Sequence, residues 1–249
     1  MNKTVGDVYA ALDTLAPFDT AEEWDHVGLQ VGDLAAAVTR TLVCLDVTKD
    51  AVARARAIGA ELIVCHHPPL FEPLHTLLTG TVPYQLAAGG IAVIAAHTNL
   101  DRAAGGVNDC LCDALGLSDV APVADGLGRV GILPAPLSPE AFAKRVGSAL
   151  HTAVRLHPGA GEVRRVAAVC GSGGDLLAAV RAEASPDAFV TGEIKHHEWL
   201  CAEDTTVIEA GHFATEQVVV RPLTAWLSAR LPEIEFECFE GTAPYDTVE

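Results

Sequence analysis

The segment at residues 40–69, RTLVCLDVTKDAVARARAIGAELIVCHHPP, holds the pattern from which the fold can be predicted. An apolar run at 41–47 is followed by a helix-period stretch near 49–59 and by a second apolar run at 61–65. Strands that alternate with helical stretches are typical of α/β domains. The second run ends in His66 and His67, and two prolines then stop the strand because proline has no backbone N–H.

The same alternation continues along the chain, interrupted by a segment rich in Pro, Gly and Asp at 118–139 that we interpret as a domain boundary. The predicted elements outside the first segment are a helix near 82–89, a strand at 91–96, a helix at 105–117, a helix at 139–150, strands near 152–156 and 163–170, a helix at 175–184, a strand at 188–192, a helix at 194–203, then a strand, a long amphipathic helix and a last strand at 234–239. We expect a metal-binding α/β domain from residues 1–124 plus 205–249, and a second α/β domain from 125–204.

An internal similarity supports two related domains. Residues 40–69 align with residues 165–199, and each segment reads as strand, helix and strand closing on a His-His pair. The similarity suggests two copies of one supersecondary unit. Strand–helix–strand units also resemble one another without a common origin, so both interpretations stay open.

Composition excludes several classes of function. The chain has 249 residues, half of them hydrophobic, and a formal charge of −17, which argues against a nucleic-acid backbone as main partner. No apolar run is long enough to span a bilayer, and the N-terminus lacks the pattern of a signal peptide, so a cytoplasmic protein is expected. Seven cysteines in mostly apolar contexts suit reduced, buried thiols.

Potential metal ligands follow three of the predicted strands. His66 and His67 follow the strand at 61–65; His97 follows the strand at 91–96, with Asp101 four residues on; His212 follows the apolar stretch VIEAG, with Glu216 four residues on. Ligands in open α/β sheets gather at the carboxyl ends of strands. Residues four apart share one face of a helix, so His212 and Glu216 have a chelating spacing. His66 and His67 would point to opposite sides of a regular strand, and the prolines allow both to reach one site by breaking it.

Two or three imidazoles and two carboxylates exceed what a single tetrahedral zinc requires, so two divalent ions per chain fit better. Ligation by nitrogen and oxygen without thiolate leaves Zn, Mn, Fe, Co and Ni open. The competing interpretation is that strand-end histidines are ordinary hydrogen-bonded residues and that His212 and Glu216 are a solvated pair. The coincidence of five ligands at three strand ends favours the metal site.

Six motifs together resemble the dinuclear-metal family named for NGG-one-interacting factor three, whose members are often labelled GTP cyclohydrolase 1 type 2 homologues. The motifs are EEWDHVGLQVG (22–32), LVCLDVTKDAV (42–52), LIVCHHPPLF (62–71), AAHTNLDRAAGGVND (95–109), VTGEIKHHEW (190–199) and GHFATE (211–216). The resemblance implies two related α/β domains, each a sheet covered by helices, with the metal site at strand C-terminal ends between them. It also implies a toroidal homohexamer, a trimer of dimers.

Carried over by motif, the resemblance implies that His67 and Asp101 bind one ion, that His66 and His212 bind the other, and that Glu216 bridges them. His97 would lie beside the site as an extra ligand or proton carrier. One departure is His26, at a position where the family more often has Asn.

Further candidates lie outside the ligand set. His196 and His197 are candidate catalytic or proton-transfer groups with Lys195 beside them as a substrate contact, and a purely structural role is equally open. Trp24 would line the site or simply pack. Arg102 is our candidate for a phosphate-facing cation.

Two classes of function follow. The first is a dinuclear metal-dependent hydrolase acting on a small molecule, either a nucleotide by ring opening of the GTP cyclohydrolase type or a phosphoester. The alternative is a non-enzymatic metal-binding ring protein that acts as chaperone, sensor or scaffold.

Overall fold

The computed structural model describes residues 3–245, and the chain divides into two units. One unit comprises the chain up to Ala103 with Val220–Thr242, and the other comprises Ala104–Val219 with the residues from Ala243 onwards. The strands are β1 (Gly28–Val31), β2 (Arg40–Cys44), β3 (Leu62–Cys65), β4 (Ala92–Ala95), β5 (Ser118–Val123), β6 (Gly128–Leu137), β7 (Arg155–His157), β8 (Val163–Val169), β9 (Ala188–Thr191), β10 (Thr206–Glu209) and β11 (Glu235–Phe239). The helices are α1 (Val5–Leu15), α2 (Lys49–Ile58), α3 (Val82–Gly89), α4 (Thr98–Arg102), α5 (Val107–Leu115), α6 (Pro139–Leu150), α7 (Leu177–Ala184), α8 (His196–Trp199), α9 (His212–Glu216) and α10 (Val220–Arg230).

The first unit is built on a five-stranded sheet in the order β1-β4-β3-β2-β11. The four strands from β4 to β11 are parallel, and β1 joins β4 antiparallel. Every residue of β3 and of β4 is buried, as expected for parallel strands covered on both faces. Because β2, β3 and β4 are adjacent and parallel, the segments that follow them emerge at the same edge of the sheet.

Helices cover this sheet through small and branched apolar side chains. Val52 and Ala55 of α2 and Leu86 of α3 pack into one core with Ile63 and Val93 of the central strands. Thr48 caps the start of α2 by accepting from the backbone N–H of Ala51, so the predicted helix near 49–59 begins where the sequence indicates.

The second unit is built on a six-stranded sheet in the order β5-β6-β8-β9-β10-β7. Strands β8, β9 and β10 are parallel, and the others join antiparallel. Leu177 and Val180 of α7 pack with Phe189 and Val207 in its core. The predicted α/β class, with two sheets covered by helices, is therefore confirmed.

The segment 118–139 is not the boundary that its composition suggested, because it forms β5 and β6. Pro122 lies in β5, an edge strand that is exposed over most of its length, where the missing N–H is tolerated. Pro134 and Pro136 lie in β6 where its register with β8 breaks, between Ile132 and Leu137. The prolines therefore occupy the positions at which a sheet can accept them.

The boundaries between the two units differ from the predicted domain boundaries after residues 124 and 204. The chain passes from one unit to the other at Ala103–Ala104, Val219–Val220 and Thr242–Ala243. The first of these lies before α5 because α5 packs against β5, β6 and β8 of the second sheet. The outer ends of the predicted first domain, residues 1–2 and 246–249, lie outside the described residues.

Two predicted helices are shorter than the sequence suggested. The helix expected at 194–203 is reduced to α8, four residues long, and the long C-terminal helix is divided into α9, a single turn of 3-10 helix and α10. Pro222 falls in the first turn of α10, where a missing N–H costs no intrahelical bond. Between residues 3 and 245, no helix has the length and apolar character needed to cross a membrane.

The two similar segments both fold as strand, helix and parallel strand, β2-α2-β3 in one unit and β8-α7-β9 in the other. Their His-His pairs are not equivalent. His66 directly follows β3, whereas His196 begins a separate short helix beyond β9.

Candidate metal centre

His66 and His67 lie in a bend that begins where β3 ends at Cys65. The backbone N–H groups of both histidines donate to the carbonyl oxygen of Leu45, at 3.1 and 3.0 Å. The strand therefore stops just before Pro68 and Pro69, as the sequence predicted. The two imidazole rings lie side by side with centroids 4.8 Å apart. The break places two successive side chains in one region.

Each of these imidazoles is oriented by a hydrogen bond at Nδ1. Nδ1 of His66 donates to the carbonyl oxygen of Ala96 at 2.9 Å, and Nδ1 of His67 donates to Oδ1 of Asp46 at 2.7 Å. Because a carbonyl and a carboxylate only accept, the proton of each neutral ring lies on Nδ1 and the lone pair on Nε2. This is the arrangement of a metal-ligating histidine, whose other ring nitrogen donates to an oxygen.

His97 and Asp101 come from the segment after β4. His97 precedes α4 as its N-cap residue, and its Nδ1 donates to Oδ1 of Asp25 at 3.0 Å. Asp101 lies one turn further along α4, and its Oδ1 is 3.7 Å from Nε2 of the buried His66. Asp46, which orients His67, follows β2 in the same way, and strand-end reasoning from the sequence missed it.

His66, His67 and His97 form a group that could hold a metal ion. One ligand nitrogen from each lies within 4.8 Å of the others, and the ring of His97 is 5.1 Å from that of His66 and 5.4 Å from that of His67. Together with the carboxylate of Asp101 near His66, the donors are nitrogen and oxygen, which suit Zn, Mn, Fe, Co or Ni. The thiol of Cys65 faces the carbonyl of Ile94, 3.6 Å away, so it does not join the donor set.

The loop at 21–27 is fastened to α4 beside this group. Asp25 accepts from the backbone N–H and the hydroxyl of Thr98, and Arg102 forms an ion pair with Glu22. Burial raises the pKa of Asp25, but the hydrogen bonds from His97 and Thr98 outweigh burial, and the pKa lies well below the usual range of a carboxyl. Any phosphate at Arg102 would have to compete with Glu22.

A chain of aromatic rings reaches the group through Trp24. Trp24 is 56% exposed, and its ring lies 6.0 Å from Phe71 and, edge-on, 6.2 Å from His97. The ring of His26 lies 6.1 Å from that of Phe71. The structure therefore places Trp24 next to a candidate site residue with much of its indole open to solvent.

The second unit holds His212 and Glu216 on the short helix α9. Nε2 of His212 lies 3.0 Å from Oε2 of Glu216, and its Nδ1 lies 3.4 Å from Oε1 of Glu193. The spacing predicted from the sequence therefore brings the two side chains together. Glu193 faces His212 as Asp46 faces His67, which gives this imidazole a carboxylate at Nδ1 as well.

Close backbone approach supports the pair. Gly171 has a φ of +58°, and a Cβ there would clash with the carboxylate of Glu216 and lie 3.3 Å from Nε2 of His212. The N–H of Gly171 donates to the hydroxyl of Thr215 at 3.1 Å, and a Cβ at Gly192 would lie 2.7 Å from that hydroxyl oxygen. The chain can carry this pair only because glycine leaves space for the two side chains.

A cavity of about 300 Å³ opens beside His212. Its lining includes Glu193, Tyr245 and Arg155, and Arg155 forms an ion pair with Glu209. The cavity therefore offers both hydrogen-bond donors and hydrogen-bond acceptors next to His212, one of the predicted ligands.

His196, His197 and Lys195 lie apart from this cavity lining and are exposed. Glu198, which is buried, accepts from the backbone N–H of Lys195 and caps α8. Nε2 of His197 is 4.0 Å from Glu198, so its visible contact is within its own helix. The catalytic and substrate-binding roles suggested for these three residues stay predictions.

Comparison with known proteins assigns this architecture to a family. The model of the family Duf34/NIF3 (NGG1p interacting factor 3) matches residues 3–244. A Streptomyces coelicolor protein named GTP cyclohydrolase 1 type 2 homolog is 37% identical over 232 residues, which cover 85% of this chain and 81% of that protein. The NIF3-like protein 1 of Drosophila melanogaster is 32% identical and covers 99% of this chain and 89% of its own length.

A solved structure has the same fold. A hypothetical protein from Staphylococcus aureus superposes with a TM-score of 0.92 at 27% identity, and the match covers 100% of both chains. The likeness therefore extends over both units.

Proposed function

We propose, because the chain belongs to the Duf34/NIF3 family, that it is a hydrolase dependent on two divalent metal ions per chain. The substrates we propose are a nucleotide, opened at a ring C–N bond in a reaction of the GTP cyclohydrolase type, or a phosphoester cleaved at a P–O bond. In either reaction one water is added across the bond that breaks. When bound, the ions supply Lewis-acid polarisation and activation of that water.

One observation carries the metal proposal. The imidazoles of His66, His67 and His97 each donate from Nδ1 to an oxygen. His212 has a carboxylate near each ring nitrogen, Glu193 at Nδ1 and Glu216 at Nε2. Ordinary surface histidines need no such uniform arrangement. Metal-ligating histidines have it almost always, because the outer oxygen fixes the tautomer and makes Nε2 the ligand.

The proposed ligands are His67 and Asp101 for one ion, His66 and His212 for the other, and Glu216 as the bridge. His212 and Glu216 alone offer two donors, fewer than the four of a tetrahedral site, so this pair requires ligands from elsewhere in the chain. His66 Nε2 and Asp101 Oδ1 lie 3.7 Å apart, and both would help to hold the ions. Gly171 is the position at which this chain makes space for the carboxylate of Glu216.

The remaining residues are assigned to substrate and protons. His97 accepts a proton at Nε2, since its Nδ1 is committed to Asp25. Trp24 and Phe71 bind a planar ring of the substrate on their exposed faces. Exposed Lys195, His196 and His197 are proposed to contact the substrate or carry protons at the periphery.

Self-association into a homohexamer, a trimer of dimers, is part of the proposal. The segment after the His-His pair exposes large apolar side chains, Leu74, Leu77 and Leu78, which are 49 to 61% exposed. Exposed apolar patches of this kind are typical of surfaces that become buried in contact with protein. Mass measurement by light scattering tests the proposed hexamer.

The function is tested by turnover. Protein reconstituted with Mn²⁺ or Zn²⁺ is incubated with GTP, the other nucleoside triphosphates, and phosphomonoesters and phosphodiesters. We expect chelator-sensitive hydrolysis that is lost in Glu216→Ala and kept in Glu162→Ala, an exposed glutamate of the same unit. Metal-loaded protein that hydrolyses nothing in the panel would contradict the hydrolase and favour the scaffold, sensor or chaperone.

A further inference from the structure

Asp25 is a buried carboxylate with a complete set of donors. Its side chain is 0% exposed. Oδ1 accepts from Nδ1 of His97 at 3.0 Å and from the backbone N–H of His26 at 2.8 Å, while Oδ2 accepts from the backbone N–H of Thr98 at 3.0 Å and from its hydroxyl at 2.6 Å. Four donors thus converge on one carboxylate that solvent does not reach.

Three of these donors are unambiguous. Two are backbone N–H groups. The third is the hydroxyl of Thr98, whose oxygen already accepts from the N–H of Glu22 at 2.9 Å, so its single proton is directed at Asp25. If Asp25 were protonated, its O–H would point at one of these donors, and the two protons would face each other without an acceptor. Asp25 is therefore an acceptor at both oxygens, and the nitrogen of His97 that faces it must carry a proton.

From this geometry we infer that Asp25 is a positioning residue that holds His97 in the Nδ1–H tautomer. Nε2 then carries the lone pair and is the one ring nitrogen of His97 that can take up a proton or bind a cation. The loop that carries Asp25 is also held to α4 by the Glu22–Arg102 ion pair, so the carboxylate is fixed from both sides. The tautomer stands independently of the proposed hydrolase, and only its use as proton acceptor rests on that function.

Asparagine at position 25 is the sharpest substitution because it has nearly the same shape and replaces one acceptor with a donor. If the NH₂ takes the place of Oδ1, it faces the N–H of His26, which is also a donor. Nδ1 of His97 must then accept from the NH₂, so the proton of His97 moves to Nε2. With its NH₂ in the place of Oδ2, the amide meets the N–H of Thr98. No orientation satisfies all four donors, and only the second keeps an acceptor opposite Nδ1 of His97, so Asp25→Asn no longer fixes one tautomer.

The tautomer is read directly by nitrogen NMR of metal-free protein labelled with ¹⁵N-histidine, at a pH well above the ordinary histidine pKa of about 6.5. The His97 signals are assigned from a His97→Gln spectrum. We expect a protonated Nδ1 and an unprotonated Nε2 in the wild type, and a mixed or reversed pattern in Asp25→Asn. Thr98→Val is the control, because it removes the hydroxyl yet leaves Asp25 a carboxylate, and it keeps the wild-type tautomer.

A wild-type His97 protonated on Nε2 overturns the inference even if Asp25→Asn does not fold. In the metal-loaded protein with a substrate that turns over, Asp25→Asn lowers kcat by about 10²-fold with KM and metal content little changed. Unchanged kcat would refute the positioning role in catalysis. Absence of turnover in the wild type counts against the hydrolase alone, because the tautomer spectra are recorded without metal or substrate.

Discussion

Nδ1 of His67 lies 2.7 Å from Oδ1 of Asp46, and the bond joins the residues that follow two adjacent parallel strands, β3 and β2. Removing this carboxylate leaves the imidazole in place but no longer fixes its tautomer. We therefore predict that Asp46→Asn weakens Zn²⁺ affinity by about 10- to 100-fold, measured by competition with a chromogenic chelator. The control is Asp50→Asn, the same substitution at an exposed aspartate in the first turn of α2. Equal affinities for the two variants would contradict an outer role for Asp46.

Gly171 tests whether backbone space positions Glu216. Alanine there meets both a φ of +58° and the carboxylate, so Gly171→Ala should lower the free energy of unfolding by more than about 1 kcal/mol and reduce bound metal. Thermal melts and elemental analysis measure the two effects. Gly161→Ala is the matched control, because its Cβ would meet nothing within 4 Å. A Gly171→Ala protein with wild-type metal content would show that Glu216 does not need this space.

Trp24 should affect substrate affinity more than the fold, because its indole is largely exposed. Loss of a stacking face costs about 1–3 kcal/mol per base, so Trp24→Ala should raise the KM of a nucleotide substrate about tenfold or more. Trp24→Phe should retain most of the affinity. The stacking role is refuted if Trp24→Ala and the wild type share one KM for nucleotides.

Thiol chemistry gives a pH dependence with a definite sign. Burial raises the pKa of Cys110 to about 11 and that of Cys112 to about 12, from an ordinary value of 9.0. Above pH 9 the unfolded chain loses these protons while the folded chain keeps them, so stability falls as pH rises, by up to about 1.4 kcal/mol per thiol per pH unit. Urea denaturation between about pH 8 and pH 10.5 measures the slope. A free energy of unfolding that rises over this range would contradict the assignment.

The same burial predicts selective thiol labelling. Cys201 is exposed, Cys238 is partly buried and the other five thiols are buried. A thiol reagent near neutral pH should label Cys201 rapidly, and Cys201→Ser should remove that phase. Rapid labelling of the buried thiols in folded protein would show that the packing is wrong.

The expectation that ligands follow strand ends correctly brought His66, His67 and His97 together. The parallel strands β3 and β4 could be read from their apolar runs, and the break after Cys65 from Pro68 and Pro69. Asp46 was within reach of the same reasoning, since it follows β2 as His66 follows β3. Asp25 was not, because it comes from an irregular loop whose contact with His97 spans 72 residues of sequence.

Composition gave a wrong prediction for the proline-rich segment, because an edge strand tolerates proline and a central strand does not. The Pro-rich segment 118–139 reads as a linker by local propensity, yet β5 at the sheet edge and the register break in β6 accommodate its prolines. The helix around α8 was predicted too long, at 194–203, whereas it spans His196–Trp199. It begins at the cap formed by Lys195 and Glu198, and a turn follows it directly.

Metal content tests the central claim most directly. Purified protein, metal-free and then reconstituted with Zn²⁺ or Mn²⁺ and desalted, is analysed by elemental mass spectrometry beside His66→Ala, His67→Ala, Glu216→Ala and the control Glu162→Ala. We predict about two ions per chain in the wild type and in Glu162→Ala, fewer in the histidine variants, and loss of most metal in Glu216→Ala. A wild-type protein that retains no metal after reconstitution would contradict the dinuclear centre and the mechanism built on it.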